Sequence, residues 1–176
     1  MRYHDITKCD LLNGDGIRVV LWVSGCKLHC PGCHNPQTWA FNSGVRFGEN
    51  DKEELFEALG KPYIKGLTLS GGNPLDSYVD ILSLVKDVKE RFPNKDIWLY
   101  SGYYMDYVKE NFPDILSYVD VVVDGPYQES CRDVGLHWRG SSNQKVFRKI
   151  INNWIVEEDE DESKICQVER HCSCSD

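Results

Sequence analysis

Three cysteines within eight residues, Cys26-Lys27-Leu28-His29-Cys30-Pro31-Gly32-Cys33, carry the chemistry most legible in this 176-residue chain. Their spacing is C-x3-C-x2-C, and they follow the apolar run Val19-Val20-Leu21-Trp22-Val23. Thiolates are the usual ligands of iron–sulfur clusters, and a complete cage takes four of them. Three leave one iron open to a small molecule, whereas a closed set only holds its metal. The rival reading is a structural zinc site completed by His29 or His34. Zinc hooks more often pair two C-x2-C units, or C-x2-C with H-x3-H.

The elements that must position this loop can be read from apolar periodicity. A strand is predicted over 17–24, after the turn signal Asn13-Gly14-Asp15-Gly16. A helix should start at Asn50-Asp51, with Glu53 three residues after Asn50 as in a capping box and with Leu55, Phe56 and Leu59 on its apolar stripe. A second strand over 66–70 stops at Gly71-Gly72. A helix over 77–92 repeats Ile81, Leu82, Val85, Val88 and Phe92 at helical spacing and is stopped by Pro93. A third strand over 97–100, a helix through Tyr107 and Val108, a fourth strand over 119–123 and a last one over 145–151 complete the list.

Strands alternating with helices imply an α/β fold whose sheet is mostly parallel and covered by helices. The unbroken apolar character of Val121-Val122-Val123 fits a strand buried on both faces. The first three strands end at Cys26, Gly71-Gly72 and Ser101-Gly102. In such folds sites form at the carboxyl ends of strands, so the unusual sequence gathers on one edge.

Composition limits what else the chain can be. It is large enough to bury a core without disulfide staples. No apolar run approaches a membrane span and no signal-peptide core opens the chain, so a cytoplasmic protein is expected, with its eight cysteines metal-binding or reactive rather than paired. The net charge is −8, of which −6 lies from Val156 onward. The nearly neutral body has no basic footprint for nucleic acid.

The cysteine loop resembles the signature of the radical S-adenosylmethionine enzymes. That resemblance implies a [4Fe–4S] cluster on Cys26, Cys30 and Cys33, with the amino and carboxylate groups of S-adenosylmethionine on the fourth iron. Ser70-Gly71-Gly72-Asn73-Pro74 matches the segment that in this family binds the methionine amino group and usually carries Asp or Glu where Asn73 stands. The Asn carbonyl accepts a hydrogen bond from an ammonium but contributes no charge.

A longer series narrows the match: Asn13-Gly14-x-Gly16-x-Arg18, Ser24-Gly25-Cys26, Thr38-Trp39, Asp96-Ile97-Trp98, Ser101-Gly102-Tyr103, Val123-Asp124-Gly125 and Arg139-Gly140-Ser141-Ser142-Asn143-Gln144. Together they resemble the activating proteins of the anaerobic (class III) ribonucleoside-triphosphate reductase, over roughly residues 1–155. That family implies an incomplete TIM-like (βα) barrel of the radical S-adenosylmethionine type. Its activity would be to split S-adenosylmethionine to a 5′-deoxyadenosyl radical that takes hydrogen from a C-terminal glycine of the reductase. The reductase is then the protein substrate, and reduced flavodoxin or a similar carrier the electron donor, with no nucleic acid or membrane partner. Cofactor contacts by matched position are Gly32, Cys33, His34 and Gly72, with Gly71, Asn73 and Ser101 added from their places at strand ends. Gly32 stands where many radical enzymes have an aromatic residue, as is usual in this family. The alternatives are an activase for another glycyl-radical enzyme, a small-molecule radical enzyme, or a non-catalytic zinc- or cluster-binding module.

Other residues receive plainer readings. His34 could stack on adenine or face solvent, and His29 needs no role beyond solvation. Cys9 and Cys131 read as reduced structural thiols, and Trp98, Tyr100 and Phe92 as core. Arg139 could reach a carboxylate or a partner, or simply lie solvated in a turn. Residues 156–176 form an acidic, cysteine-containing tail, expected to be disordered. Its Cys166, His171, Cys172 and Cys174 crowd nine residues and could take zinc or a second iron site.

Overall fold

The computed structural model describes residues 1–151 and 153–157. The first two residues of the expected tail are ordered rather than disordered, Val156 closing the last strand and Glu157 N–H donating to Val146 O at 2.8 Å; the remaining expectations, including those for Cys166, His171, Cys172 and Cys174, lie outside the described residues.

Eight strands form one sheet: β1 (Arg2–Asp10), β2 (Arg18–Val23), β3 (Val45–Arg46), β4 (Gly66–Gly71), β5 (Asp96–Tyr100), β6 (Val121–Asp124), β7 (Lys145–Ile150) and β8 (Asn153–Val156). Their order is β3-β1-β2-β4-β5-β6-β7-β8. The strands β2, β4, β5 and β6 pair in parallel. They are joined by α1 (Glu49–Leu59), α2 (Tyr78–Arg91) and α3 (Met105–Asn111), the crossover helices that parallel pairing requires. The pairings of β1 with β2 and β3, of β6 with β7 and of β7 with β8 are antiparallel. The expectation of a mostly parallel sheet is therefore corrected to a mixed sheet, parallel at its centre and antiparallel at both edges. Antiparallel pairing needs no crossover helix: β1–β2 and β7–β8 are joined by short turns, while β6 reaches β7 through a long connection without an α-helix.

The helices pack on one face. Leu55, Phe56 and Leu59 of α1, Ile81, Leu84, Val85 and Val88 of α2, and Met105 and Val108 of α3 join Val19, Leu21, Leu67, Leu69, Ile97, Leu99 and Val122 in the main core. The opposite face of the central strands presents Trp98, Val121, Val123 and Val146, with Tyr100 and Trp138 packed against them. Successive residues of β5 and β6 thus point to different cores, and β6 is buried on both faces as expected.

Helix boundaries follow local chemistry. In α2, Ile81, Leu84, Val85 and Val88 keep one face apolar. Asp80 opens the helix, while Lys89 and Arg91 close it, each charge complementing the helix dipole. The cap of α1 differs from expectation. The carboxylate of Asp51 accepts the backbone N–H of Gly48 at 2.7 Å, so the helix starts after Gly48 and keeps only the returning half of a capping box, in place of the expected pair Asn50 and Glu53. No helix among the described residues is long and apolar enough to cross a membrane.

Candidate metal centre

The carboxyl ends of the parallel strands meet where the register puts Val23 beside Gly71 and Leu69 beside Leu99. From this edge the cysteine loop leaves β2 and is tied down on both sides. Gly25 N–H donates to Thr38 O at 2.7 Å and Cys26 N–H to Trp39 O at 3.0 Å. On the other flank Gly72 N–H donates to Val23 O at 2.8 Å and Asn73 N–H to Gly25 O at 2.9 Å. Asp76, in the short helical turn Pro74–Ser77, adds a side-chain tie. Its carboxylate accepts Lys27 N–H at 2.9 Å and the Tyr103 hydroxyl at 2.7 Å. Burial first, then this bond to Asp76, raises the Tyr103 phenol well above its ordinary value.

Cys26, Cys30 and Cys33 line one pocket of about 140 Å³, together with Gly71, Gly72, Asn73 and Ser101. A larger cavity of about 450 Å³ shares Cys33 and Ser70 with it and adds His34. Every predicted site residue except Gly32 and His34 therefore lines the inner pocket. His34 lies on the outer cavity, exposed and tilted against Tyr127 with ring centroids 5.9 Å apart. Gly32 shapes the loop from outside. Its φ is +74°, in the region that favours glycine, and a Cβ there would strike the Glu129 carboxylate and crowd the Tyr127 ring. The residue before the last cysteine is small because the segment after β6 packs on it. Gly72 has a different reason: a Cβ would lie 2.4 Å from Gly25 O, within the backbone pairing just described.

Burial pushes the Cys30 thiol up, and the neighbouring Cys26 and Cys33 sulfurs add to this, while the backbone N–H of Tyr127 on its sulfur pulls the other way. Among the described residues no three His, Cys, Asp or Glu side chains are grouped so as to hold a single metal ion. A lone zinc needs its ligands to meet at one point about 2.3 Å from each sulfur. A cluster instead takes each thiolate on a different iron, and Cys26, Cys30 and Cys33 line the same pocket. His29 is not merely solvated: at a positive φ of +47° it stacks on Trp39 with ring centroids 4.8 Å apart.

Several lining residues were not singled out from the sequence. Tyr100, read as core, lines both cavities, and burial holds its phenol far above the ordinary tyrosine value. Trp98 and Phe92 are core as expected, Trp98 fully so. Gly125, Pro126 and Tyr127, which follow β6, close the inner pocket together with Gln144. The signal available for them was the end of β6 itself, at the same edge as Gly71 and Ser101. Gln144 bridges two loops: its carbonyl accepts Gly140 N–H at 3.0 Å, and its amide donates to Gly125 O at 2.9 Å. Asn143 donates to Pro126 O at 2.8 Å. The Arg-Gly-Ser-Ser-Asn-Gln segment thus clamps the wall of the pocket, and its Arg139 lines the outer cavity. The Ser101 hydroxyl is engaged in its own turn with Tyr103 N–H and O. Cys9 and Cys131 are free thiols.

Comparison with known proteins agrees with this arrangement. The family described as "4Fe-4S single cluster domain" matches residues 12–147. The chain is 45% identical over 156 residues to the anaerobic ribonucleoside-triphosphate reductase-activating protein of Enterobacteria phage T4, covering 88% of this chain and 98% of the relative. It is 41% identical over 152 residues to the protein of that name from Vibrio cholerae, covering 84% and 98%. The Escherichia coli (strain K12) protein of the same name is 41% identical over 150 residues, covering 83% and 97%.

Proposed function

Because the chain belongs to the family of anaerobic ribonucleoside-triphosphate reductase-activating proteins, we propose that it is the enzyme that installs the glycyl radical on such a reductase. The observation that carries this reading is one pocket shared by three free thiols and a glycine-lined strand edge. Cys26, Cys30 and Cys33 would hold the [4Fe–4S] cluster. The segment Gly71-Gly72-Asn73, with Ser101 behind it, would hold the amino-acid end of S-adenosylmethionine, and Gly32, Cys33 and His34 would lie along the rest. The buried amide nitrogen of Asn73, which has no partner among the described residues, supports a polar ligand beside the thiols. When bound, these two groups supply one-electron cleavage of the sulfonium and a 5′-deoxyadenosyl radical that takes hydrogen from a C-terminal glycine of the reductase.

The protein's part is binding, alignment and exclusion of water. The backbone ties from Thr38, Trp39 and Asp76 hold the thiols at the strand edge. Tyr127 and Gln144 wall the inner pocket, and the adjoining outer cavity gives a peptide loop a way in. No side chain is required to move a proton. We take the sheet through Val156 as the catalytic unit, an incomplete (βα) barrel supported by four adjacent parallel strands whose ends line the pocket, and the acidic stretch after it as an appended tail. A cytoplasmic setting and reduced flavodoxin or a similar electron donor complete the reading.

The test is anaerobic reconstitution with iron and sulfide. The expected product is a brown protein with about four irons that cleaves S-adenosylmethionine under reductant. Mixed with the anaerobic reductase, it should give a glycyl radical signal by electron paramagnetic resonance. A colourless protein holding a single zinc refutes the reading.

A further inference from the structure

Asn73 stands where the resembled family usually carries an acid, and its environment defines what the amide can do. The side chain is buried, with 1% of its surface exposed. Its backbone is held on both sides, N–H to Gly25 O at 2.9 Å and C=O from Asp76 N–H at 2.9 Å. The side-chain carbonyl faces Gly102 N–H at 3.4 Å. A backbone N–H can only donate, so this contact orients the amide with its oxygen toward Gly102 and its nitrogen away. That nitrogen, Nδ2, is shielded from solvent and has no hydrogen-bond partner among the described residues. Buried donors are rarely left unmade, and one on the wall of a ligand pocket points to an acceptor on the ligand.

An acid at this position would offer oxygens to the ammonium of the methionyl end. Asn73 differs: its oxygen takes one long contact from Gly102 N–H and keeps a second lone pair, while its amide hydrogens are the donors left without an acceptor among the described residues. We propose that Asn73 reads the carboxylate of S-adenosylmethionine, not its ammonium, through Nδ2. Asn73 is then a specificity-determining residue whose sign is reversed relative to an acid. This inference rests on the function proposed above.

The experiment measures equilibrium binding of S-adenosylmethionine and of decarboxylated S-adenosylmethionine, which keeps the ammonium and lacks the carboxylate. Both ligands are titrated anaerobically into the reconstituted holoprotein, for wild type, Asn73→Asp and Asn73→Ala. Decarboxylation alone also removes a group that would reach the cluster, so the deciding quantity is how each substitution changes the affinity ratio of the two ligands. Asn73→Asp removes the donor and puts a second carboxylate against the first. It should weaken S-adenosylmethionine by about tenfold or more while leaving the decarboxylated ligand within about threefold, or binding it more tightly. Asn73→Ala removes only the donor and should shift the ratio in the same direction by less. Iron content and thermal unfolding identify any variant that has lost its fold, in which case Asn73→Ala decides. Tighter binding of S-adenosylmethionine by Asn73→Asp, or an equal change for both ligands, overturns the proposal. A wild-type holoprotein that binds neither ligand overturns the proposed function itself.

Discussion

Arg18 sits at the opposite end of the sheet from the cysteine loop, and its removal should cost stability without touching the site. The side chain is completely buried. Its Nη2 lies 2.6 Å from the Asp96 carboxylate and donates to Leu67 O at 2.9 Å. Nε donates to the Thr68 hydroxyl at 2.7 Å, Nη1 to Asp15 O at 3.0 Å, and the guanidinium lies 5.2 Å from the centre of the Trp98 ring. One side chain thus joins the starts of β2, β4 and β5. Breaking a buried pair by removing one partner costs about 3–5 kcal/mol, because the other charge is left uncompensated. Asp96 keeps 21% side-chain exposure, so water recovers part of that and about 3 kcal/mol is the expected loss for Arg18→Met. For a chain of this size each kcal/mol moves the midpoint by about 2–4 °C, giving a fall of about 6–12 °C. The assay is thermal unfolding of the reconstituted protein by circular dichroism at one fixed scan rate. Arg18→Met/Asp96→Leu should recover part of the loss, since an apolar replacement of the whole pair leaves no stranded charge. The span of β2 puts Arg18 about 16 Å from Val23, so iron content below the transition should match wild type. A single variant within about 2 °C of wild type, or a double variant no better than the single, refutes this account of the Asn-Gly-x-Gly-x-Arg motif.

Gly32→Ala should lower iron retention after reconstitution. Gly32→Ala/Glu129→Ala should regain part of it, because the Cβ conflict is with a movable carboxylate while the cost of positive φ remains; equal retention in both variants would sink the steric argument. Asp76→Ala frees both Lys27 N–H and the Tyr103 hydroxyl and should speed cluster loss to a chelator by on the order of tenfold, with Tyr103→Phe in between; rates equal to wild type in both would show that Asp76 does not hold the loop. The Tyr3 phenol is pushed up to about 12, first by burial and then by its bond to Asp51. A group whose folded value is raised contributes stability below its unfolded value near 10 and loses it as pH rises through about 12. The stability difference between wild type and Tyr3→Phe should therefore shrink across that window, and a constant difference would contradict it.

How much was legible depended on where each element buries its side chains. The strands β2, β4, β5 and β6 are buried on two faces and read as apolar runs, and α2 declares itself by a repeating stripe. β1 was silent because Arg2–Asp10 buries only Tyr3 and Ile6, three residues apart, and a register shift against β2 between Tyr3 and Asp5 breaks the period-two pattern. β3 is two residues long, and β8 follows a turn through Ile151 at φ +57°, a conformation its residue type does not announce. In the site, the thiols and the double glycine were legible from spacing and strand ends. Tyr127 was not, because it joins the pocket through a long connection between β6 and β7 whose folding no local pattern encodes, and Gln144 was marked only as part of the Arg-Gly-Ser-Ser-Asn-Gln series, with no place in the site. Tyr100 packs against the Trp98 core as expected and also lines both cavities, and the alternation of Ile97 and Leu99 with Trp98 and Tyr100 already separates the helix-covered face from the other.

The hydrogen bonds around the cysteine loop explain why its spacing and its neighbours belong together. Val23 O and Gly25 O accept from Gly72 and Asn73, which carries the parallel pairing of β2 with β4 beyond the last strand residues. Thr38 O and Trp39 O accept from Gly25 and Cys26 on the opposite flank, giving the start of the loop two backbone partners. A side chain at residue 72 would push that pairing apart, and one at residue 32 would push away the segment that donates to Cys30. In small metal domains, ligand geometry is created by the metal as the chain folds. Here the backbone that presents the first thiol is an extension of the sheet, and so is the Gly72-Asn73 segment that faces it across the pocket. Thiols and ligand segment therefore share one rigid reference, which radical chemistry needs: a hydrogen atom is taken productively only when the reacting centres are held within near-contact distance and aligned.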